Sequence, residues 1–166
     1  MVELNLTIRK ANLEDVTSLQ KLYQQVDKIH YRALPEIFNS VEEDLKDLRP
    51  SSWFQTRFED NTYCILVAEY RQQILGLIEI QMRNTNYSHY SLLKPRRYGH
   101  IRDIIVDRAW RRQGVGGSLM YNAHQWAKQQ EASSVEVIAF SFNQEALSFY
   151  RKLGYIDSDV TLRNTF

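Results

Sequence analysis

Residues 104–118, which read IIVDRAWRRQGVGGS, constrain the fold of this chain more than any other segment. An apolar run ends at Asp107, a basic turn follows, and glycines then open a stretch with helical periodicity. The start of a helix presents unpaired backbone N–H groups and a partial positive charge, and glycine lets a large anion approach them. Arg111 and Arg112 add formal charge at the same place. The segment therefore predicts a strand, a turn and a helix that binds a diphosphate, mostly through its main chain.

The same glycines have other interpretations. A helix that crosses a strand closely also needs small residues, and this alternative requires no ligand. Two better-known phosphate motifs do not fit, because the dinucleotide fingerprint needs a third glycine where Leu119 stands, inside a parallel βαβ unit. The Walker A loop needs Gly-Lys followed by Ser or Thr, which this segment lacks.

The first half of the chain predicts one strand and two helices before a group of strands. Residues 6–10 form the first strand, and Asn12 caps a helix that starts at Leu13. Ser40 with Glu43 fits a capping box for a second helix. Three strands follow, at residues 62–70, 74–83 and 99–107, with residues 71–73 as a hairpin turn.

The second half alternates helices and strands. A helix over residues 114–130 precedes a strand over 134–140, a short helix over 144–153 and a last strand from Tyr155 onward. Consecutive antiparallel strands followed by strand–helix–strand units indicate helices on both faces of a mixed sheet. We therefore predict an α/β fold with a single mixed, mostly antiparallel sheet of six to seven strands.

Composition limits the class of protein. A length of 166 residues fits one domain that covers residues 1–166, and a net charge of +1 is too balanced for a protein held to nucleic acid mainly by phosphate neutralisation. The N-terminus lacks a signal-peptide pattern, and no apolar stretch approaches the ~18 residues of a membrane span. We expect a soluble, cytoplasmic protein without a metal. Cys64 is the only cysteine, which excludes an internal disulfide and suits a small core residue.

A second informative segment covers residues 143–155, which read NQEALSFYRKLGY. Asn143 follows a strand directly and can cap the next helix. Tyr150 shares a helix face with Ala146 and Leu153, so its ring is predicted to point inward, either as a core aromatic or toward a ligand. Gly154 suits the residue after a helix, where a positive φ is needed.

Together these two segments resemble the GNAT superfamily of acetyl-CoA-dependent N-acetyltransferases, over roughly residues 6–156. Tyr155 departs mildly, since the family more often has phenylalanine there. The resemblance implies that the backbone of Ile105 and Val106 contacts the pantetheine arm of acetyl-CoA, which Asn143 hydrogen-bonds. It implies that Tyr150 lies by the thioester sulfur. It assigns the pyrophosphate to the turn and helix start, at Arg111, Arg112, Gln113, Gly114, Val115, Gly116, Gly117 and Ser118.

The resemblance implies direct transfer of the acetyl group to a primary amine. A group must accept the proton of that amine, and Asp103 on the fourth strand is the first candidate. His100, Glu79 and an ordered water are alternatives. The acceptor is a small molecule, a peptide N-terminus or a lysine, and a longer acyl-CoA is equally compatible with the sequence. A catalytically silent acyl-CoA-binding or regulatory module on the same fold is the alternative function.

The variable segments of the chain are expected to select the acceptor. Residues 30–38 and 87–98 both suit the walls of an acceptor groove. The acidic residues 42–44 suit a helix start, where the helix dipole stabilises them, better than a site for a cationic amine. A homodimer is an expectation carried by the family alone, and nucleic acid is not an expected partner.

Overall fold

The computed structural model describes residues 4–39, 48–86 and 92–164. These ranges contain five strands, namely β1 (Thr7–Lys10), β2 (Tyr63–Tyr70), β3 (Gln73–Thr85), β4 (Arg96–Val106) and β5 (Ser134–Val137). They also contain four α-helices, namely α1 (Val16–Ala33), α2 (Ser51–Glu59), α3 (Val115–Gln129) and α4 (Gln144–Lys152).

The strands form one sheet in the order β1-β2-β3-β4-β5. The first three pairings are antiparallel and β4 pairs with β5 in parallel, so the predicted mixed and mostly antiparallel sheet is confirmed. The expected six to seven strands are not confirmed, because the described residues form five. The strand expected from Tyr155 onward is absent, and residues 155–164 have no regular structure. A strand needs a partner for its backbone groups, and this segment packs so little that Ile156 and Leu162 are 87% and 90% exposed.

Helices cover both faces of the sheet, as the alternation of elements predicts. One core lies under α3 and α4 and includes Leu119, Met120 and Tyr150 packed against Ile78 and Ile101. The other core lies under α1 and α2, where Leu19, Tyr23 and Phe54 pack against sheet residues such as Leu77 and Ile105. Cys64 is 3% exposed in the first core, as expected of a small apolar residue.

The start of α1 differs slightly from the sequence prediction. Asn12 accepts a hydrogen bond from the N–H of Glu14, but it caps a short 3₁₀ turn at Leu13–Asp15, and α1 itself begins at Val16. Asp15 closes the capping box and accepts two bonds, of 2.7 and 2.8 Å, from the Arg9 guanidinium on β1. The capping box predicted at Ser40 and Glu43 lies outside the described residues.

Other element boundaries follow the pairing of the strands. Arg71 and Gln72 adopt φ values of 49° and 66°, so the predicted hairpin turn between β2 and β3 is confirmed. β3 extends past its predicted end and β4 begins before its predicted start, because Thr85 still pairs with Arg96. β5 ends three residues before its predicted end at Phe140, because its pairing with β4 stops at Val137.

Candidate active site

The last part of β4 lies beside an opening in the sheet. β5 pairs with β4 only from Tyr98 to Ile101, whereas β3 pairs with β4 as far as Val106. Arg102 is an extra residue on β4, since Glu79 pairs with Asp103 and Ile80 with Ile101. A bulge of this kind bends and twists a strand. Within the described residues, the final residues of β4, including Ile105 and Val106, therefore have a strand partner on one side only.

The turn after β4 leads into an open helix start. Asp107 accepts a bond from the N–H of Ala109 and caps a short 3₁₀ turn, after which Arg112 and Gly114 adopt φ values of 60° and 86°. A Cβ added at Gly114 or Gly117 would meet no atom within 4 Å. The first backbone N–H groups of α3 have no partner within the helix. The geometry therefore fits the approach of a large anion, as the sequence predicts.

Gly116 has a different role from its neighbours. A Cβ at this position would lie 3.3 Å from Cζ of Phe149 on α4 and 3.6 Å from Cγ2 of Val106. Contacts of 3.3 Å require the neighbour to move, so Gly116 allows α3, α4 and β4 to approach one another closely. The close-packing interpretation is therefore supported at Gly116, while Gly114 and Gly117 leave room for an anion.

Arg111 joins the two sides of the opening. Its Nε donates to the carbonyl oxygen of Val106 at 3.2 Å, and its guanidinium lies 3.6 Å from the carboxylate of Glu145 on α4. Arg112 and Gln113 are exposed, and Gln113 donates from its side chain to the carbonyl of Ala109. The predicted diphosphate residues therefore lie together, from the end of β4 through the first turn of α3, where the N–H of Ser118 bonds the carbonyl of Gly114.

The helix α4 carries the other predicted residues. The side-chain oxygen of Asn143 accepts a bond of 3.2 Å from the N–H of Ala146, which confirms its predicted capping role. Tyr150 is 8% exposed, and its ring packs on those of Phe149 and Tyr155. The Tyr150 hydroxyl makes no hydrogen bond to any residue that the structure describes. Burial, and next the charge of Asp103, raise the pKa of Tyr150 to about 12, so the phenol keeps its proton at neutral pH.

Two carboxyl groups lie on the opposite face of the sheet, under α1 and α2. Glu79 and Asp103 pair directly across β3 and β4, so their side chains share this face. Glu79 is 1% exposed and accepts bonds from the Tyr23 hydroxyl at 2.7 Å and from Nε of Arg57 at 3.0 Å. Asp103 accepts no hydrogen bond from the described residues. Burial, and next the charge of Glu79, raise the pKa of Asp103 to about 7.

These surroundings separate the three candidate bases. Glu79 accepts hydrogen bonds from two donors, one of them charged, so each of its carboxylate oxygens already has a partner. His100 lies where β4 still pairs with β5, opposite Glu136, and is 8% exposed. Burial, and next the charges of Arg83 and Arg102, lower the pKa of His100. Asp103 lies beyond Ile101, the last residue of β4 that pairs with β5, and its carboxylate accepts no hydrogen bond from a described residue.

Several residues of this face were not found by the sequence analysis. Arg49 donates to Asp27 at 2.6 and 3.1 Å and lies over the Tyr23 ring, 4.2 Å from its centroid. Arg57 lies over the Trp53 ring and reaches Glu79. The only local signal was the four-residue spacing of Tyr23 and Asp27, which places both on one face of α1. Their partners lie on other elements.

The rings of four residues contact one another, and we call them the aromatic cluster: His30, Phe38, Phe140 and Phe142. His30 stacks on Phe38 at 5.0 Å between centroids, and Phe140 lies 5.3 Å from each of them. Phe142 stacks on Phe140 at 5.6 Å. Residues 30–38 are one of the two segments predicted to line an acceptor groove, and they therefore contact the segment after β5. Residues 87–91 lie outside the described ranges.

Two further findings concern the described ranges as a whole. None of the helices there is long and apolar enough to cross a membrane. No three His, Cys, Asp or Glu side chains in these ranges are grouped as metal ligands.

The chain is similar to known proteins over most of its length. The chain is 24% identical over 151 residues to the uncharacterised N-acetyltransferase YhfO of Bacillus subtilis, covering 90% of this chain and 89% of that one. It is 27% identical over 156 residues to an N-alpha-acetyltransferase of Sulfolobus acidocaldarius, covering 92% and 81%. The crystal structure of a mutant BH1408 protein from Bacillus halodurans superposes with a TM-score of 0.88 at 25% identity, covering 96% and 99%. The sequence profile of the Acetyltransferase (GNAT) family matches residues 23–155, and the chain belongs to that family.

Proposed function

We propose that this protein is an enzyme that transfers the acetyl group of acetyl-CoA to a primary amine. One observation carries the proposal. Asp103 and Tyr150 approach the end of β4 from opposite faces of the sheet, and they are close enough for the carboxylate to raise the pKa of the phenol. A proton acceptor and a proton donor therefore flank the opening between β4 and β5.

The opening and the start of α3 fit acetyl-CoA. The open N-terminal turn of α3, with Gly114 and Gly117, would hold the pyrophosphate through backbone N–H groups, with charge from Arg112. The unpaired side of Ile105 and Val106 would hydrogen-bond the pantetheine arm, as a strand partner would. Asn143 would contribute its amide from the other side. When bound, acetyl-CoA supplies an acetyl thioester at the opening.

Asp103 is proposed as the general base. Lysine-like amines have a pKa of about 10.4 and reach the enzyme mostly protonated. A carboxyl group with a pKa of about 7 is about half ionised at neutral pH, and it holds a proton more firmly than an exposed aspartate. Asp103 can therefore take one proton from the ammonium group, which frees the nitrogen lone pair to attack the carbonyl carbon. The second proton, which the nitrogen loses after the carbon–nitrogen bond has formed, passes to solvent.

Tyr150 is proposed as the general acid. As the carbon–sulfur bond breaks, negative charge develops on sulfur, and a free thiol has a pKa of about 8.5. Tyr150 stays protonated at neutral pH, and its hydroxyl is not held by another described residue, so it can donate to the departing sulfur. The hydroxyl regains a proton from solvent after the product leaves.

A thiol-release assay tests this proposal. Purified protein with acetyl-CoA and an amine panel should release free thiol in proportion to enzyme, and mass spectrometry should find the acetylated amine. The panel should include peptides with free N-termini, because the Sulfolobus relative is named an N-alpha-acetyltransferase. Acetyl-CoA binding by calorimetry without thiol release on any amine would contradict the enzyme and favour a silent acyl-CoA-binding module.

A further inference from the structure

We propose that the aromatic cluster is the subsite for the apolar body of the acceptor, so that the acceptor is a monoamine with an aromatic or long aliphatic substituent. This inference rests on the proposed acetyl transfer and specifies its substrate class. It is carried by three observations: the contacts within the cluster, its place on the face of α1 that also carries Tyr23, and the pairing of the charges on this side of the sheet.

The cluster has two sides that belong to different parts of the fold. His30 lies near the end of α1 and Phe38 follows it, whereas Phe140 and Phe142 lie between β5 and α4. The rings stack or meet edge to face, but they are not sealed, and Phe140 is 36% exposed. Partly exposed aromatic rings in contact form an apolar surface that another ring or alkyl chain can cover favourably.

The cluster is connected to the proposed base through one face of α1. Tyr23, Asp27 and His30 are spaced by four and three residues and therefore share one face of α1. Tyr23 bonds Glu79, the direct partner of Asp103, and His30 is two helical turns further on, which is about 10 Å along the axis. An amine at Asp103 can thus place its apolar body on the cluster.

The segment after β5 connects the cluster to the opening between β4 and β5. Phe142 is followed directly by Asn143, the cap of α4 and the proposed contact of the pantetheine arm. A cavity of about 160 Å³ continues from the cluster and is lined by Asp27, Phe38, Asn39 and Leu48. The apolar subsite and the acetyl donor therefore share a boundary at residues 142 and 143.

The charges along the path favour a single amine group. Among the described residues of this face, Asp27 is paired with Arg49 and Glu79 with Arg57. Asp103 is left as the one carboxyl group there without an ion pair at contact distance. A polycation would bring further charges against the two arginines, at an electrostatic cost. Burial lowers the pKa of His30, so its ring is uncharged at neutral pH and does not repel an ammonium group.

Matched amines provide the first arm of the test. Phenethylamine, ethylamine, spermidine and kanamycin would be compared by kcat/KM at saturating acetyl-CoA. Burial of a phenyl group predicts at least about a tenfold preference for phenethylamine over ethylamine. A preference for spermidine or kanamycin, or equal use of ethylamine, would overturn the inference while leaving the proposed acetyl transfer intact.

Variants of the cluster provide the second arm. Phe140→Ala and Phe38→Ala should each lower kcat/KM for phenethylamine at least about fivefold and change that for ethylamine less than about twofold. Tyr121→Ala removes an aromatic ring that is 64% exposed on α3 and serves as the matched control. Equal losses for both amines in the cluster variants would indicate a structural role for the cluster and refute the subsite.

Calorimetry separates failure of this inference from failure of the proposed function. Phenethylamine binding to the complex with CoA, which carries no acetyl group, can be measured without turnover. It should be tighter than ethylamine binding and weakened in Phe140→Ala. Thiol release that is absent for every amine would reject the proposed enzyme. Phenethylamine that binds no more tightly than ethylamine would reject the subsite, whatever the turnover.

Discussion

Glu79 and Asp103 are direct partners across β3 and β4, and only one of the two carboxyl groups has hydrogen-bond donors among the described residues. Tyr23 and Arg57 stabilise the negative charge on Glu79. Burial and this neighbouring charge together disfavour a second carboxylate, which raises the pKa of Asp103 to about 7. The sheet pairing thus places a carboxyl group without a hydrogen-bond donor among the described residues directly beside one that has two.

Removing the charge of Glu79 should move the pH dependence of the reaction. Glu79→Gln keeps the size of the side chain and an oxygen that Tyr23 and Arg57 can bond, but it removes the neighbouring negative charge. The pKa of Asp103 should fall, so the acidic limb of kcat/KM against pH should move to lower pH. An acidic limb at the wild-type position in a folded variant would show that Glu79 does not act on the base.

Replacing the proposed base should have a large effect on rate. Asp103→Asn cannot accept a proton, and loss of a general base costs roughly 10²–10⁴ in rate. We expect this loss in kcat/KM at neutral pH, with partial recovery at high pH, where free amine is abundant. A loss below about threefold would assign the role to His100, Glu79 or a water.

The same substitution should change how stability depends on pH. The pKa of Asp103 is about 7 in the folded protein, compared with an ordinary value of 3.8, so the folded state binds the proton more tightly. Its contribution to the free energy of unfolding is therefore unfavourable above about pH 7, and it disappears as the pH falls toward about 4. Asp103→Asn should raise Tm at pH 8 by a few degrees, at roughly 2–4 °C per kcal/mol, and raise it less at pH 4. An equal change in Tm at both pH values would contradict the raised pKa.

Tyr150→Phe removes only the hydroxyl group and tests the proposed acid. Because that hydroxyl bonds no described residue, Tm should change little, acetyl-CoA affinity should be nearly unchanged, and kcat should fall at least about tenfold. Tyr155→Phe is a matched control, since its hydroxyl lies 2.7 Å from Nε2 of His124. The control should lose about 1 kcal/mol of stability and keep its kcat. Wild-type kcat in Tyr150→Phe would remove Tyr150 from the mechanism.

A side chain at Gly117 should interfere with the diphosphate. Its Cβ would enter open space beside the first turn of α3, so Gly117→Val should fold normally and bind acetyl-CoA at least about tenfold more weakly, which is about 1.4 kcal/mol. Gly116→Ala is the comparison, because its Cβ meets Phe149 and should lower Tm instead. Unchanged calorimetric affinity in folded Gly117→Val would show that the diphosphate binds elsewhere.

Features that depend on neighbouring residues could be predicted from the sequence. The strand, turn and helix of residues 104–118, the Asn143 cap and the hairpin at Arg71 and Gln72 each follow from side chains within a few positions. Helices on both faces also follow, because the change from helical to strand periodicity fixes the order of elements. Asp103 and Tyr150 became candidates by resemblance. The structure adds that Asp103 lies beyond the pairing of β4 with β5 and that Tyr150 packs in the core on the other face of the sheet.

Only the tertiary structure decided which distant residues meet. Tyr23 hydrogen-bonds Glu79, which is 56 positions away in the sequence, and Arg57 hydrogen-bonds the same carboxylate from 22 positions away. No local sequence pattern could predict either contact. The aromatic cluster likewise joins the end of α1 to the segment after β5. The prediction of a strand from Tyr155 onward was wrong for the same reason. The apolar residues of that segment are a local feature, but a strand needs a partner that the rest of the fold supplies. The sequence alone determined most of the helices and strands, and the helix start that suits a diphosphate, because the conformational preference of the backbone depends on nearby residues. The paired carboxyl groups and the acceptor side depend on strand register and helix packing, which arise only when the whole sheet is assembled.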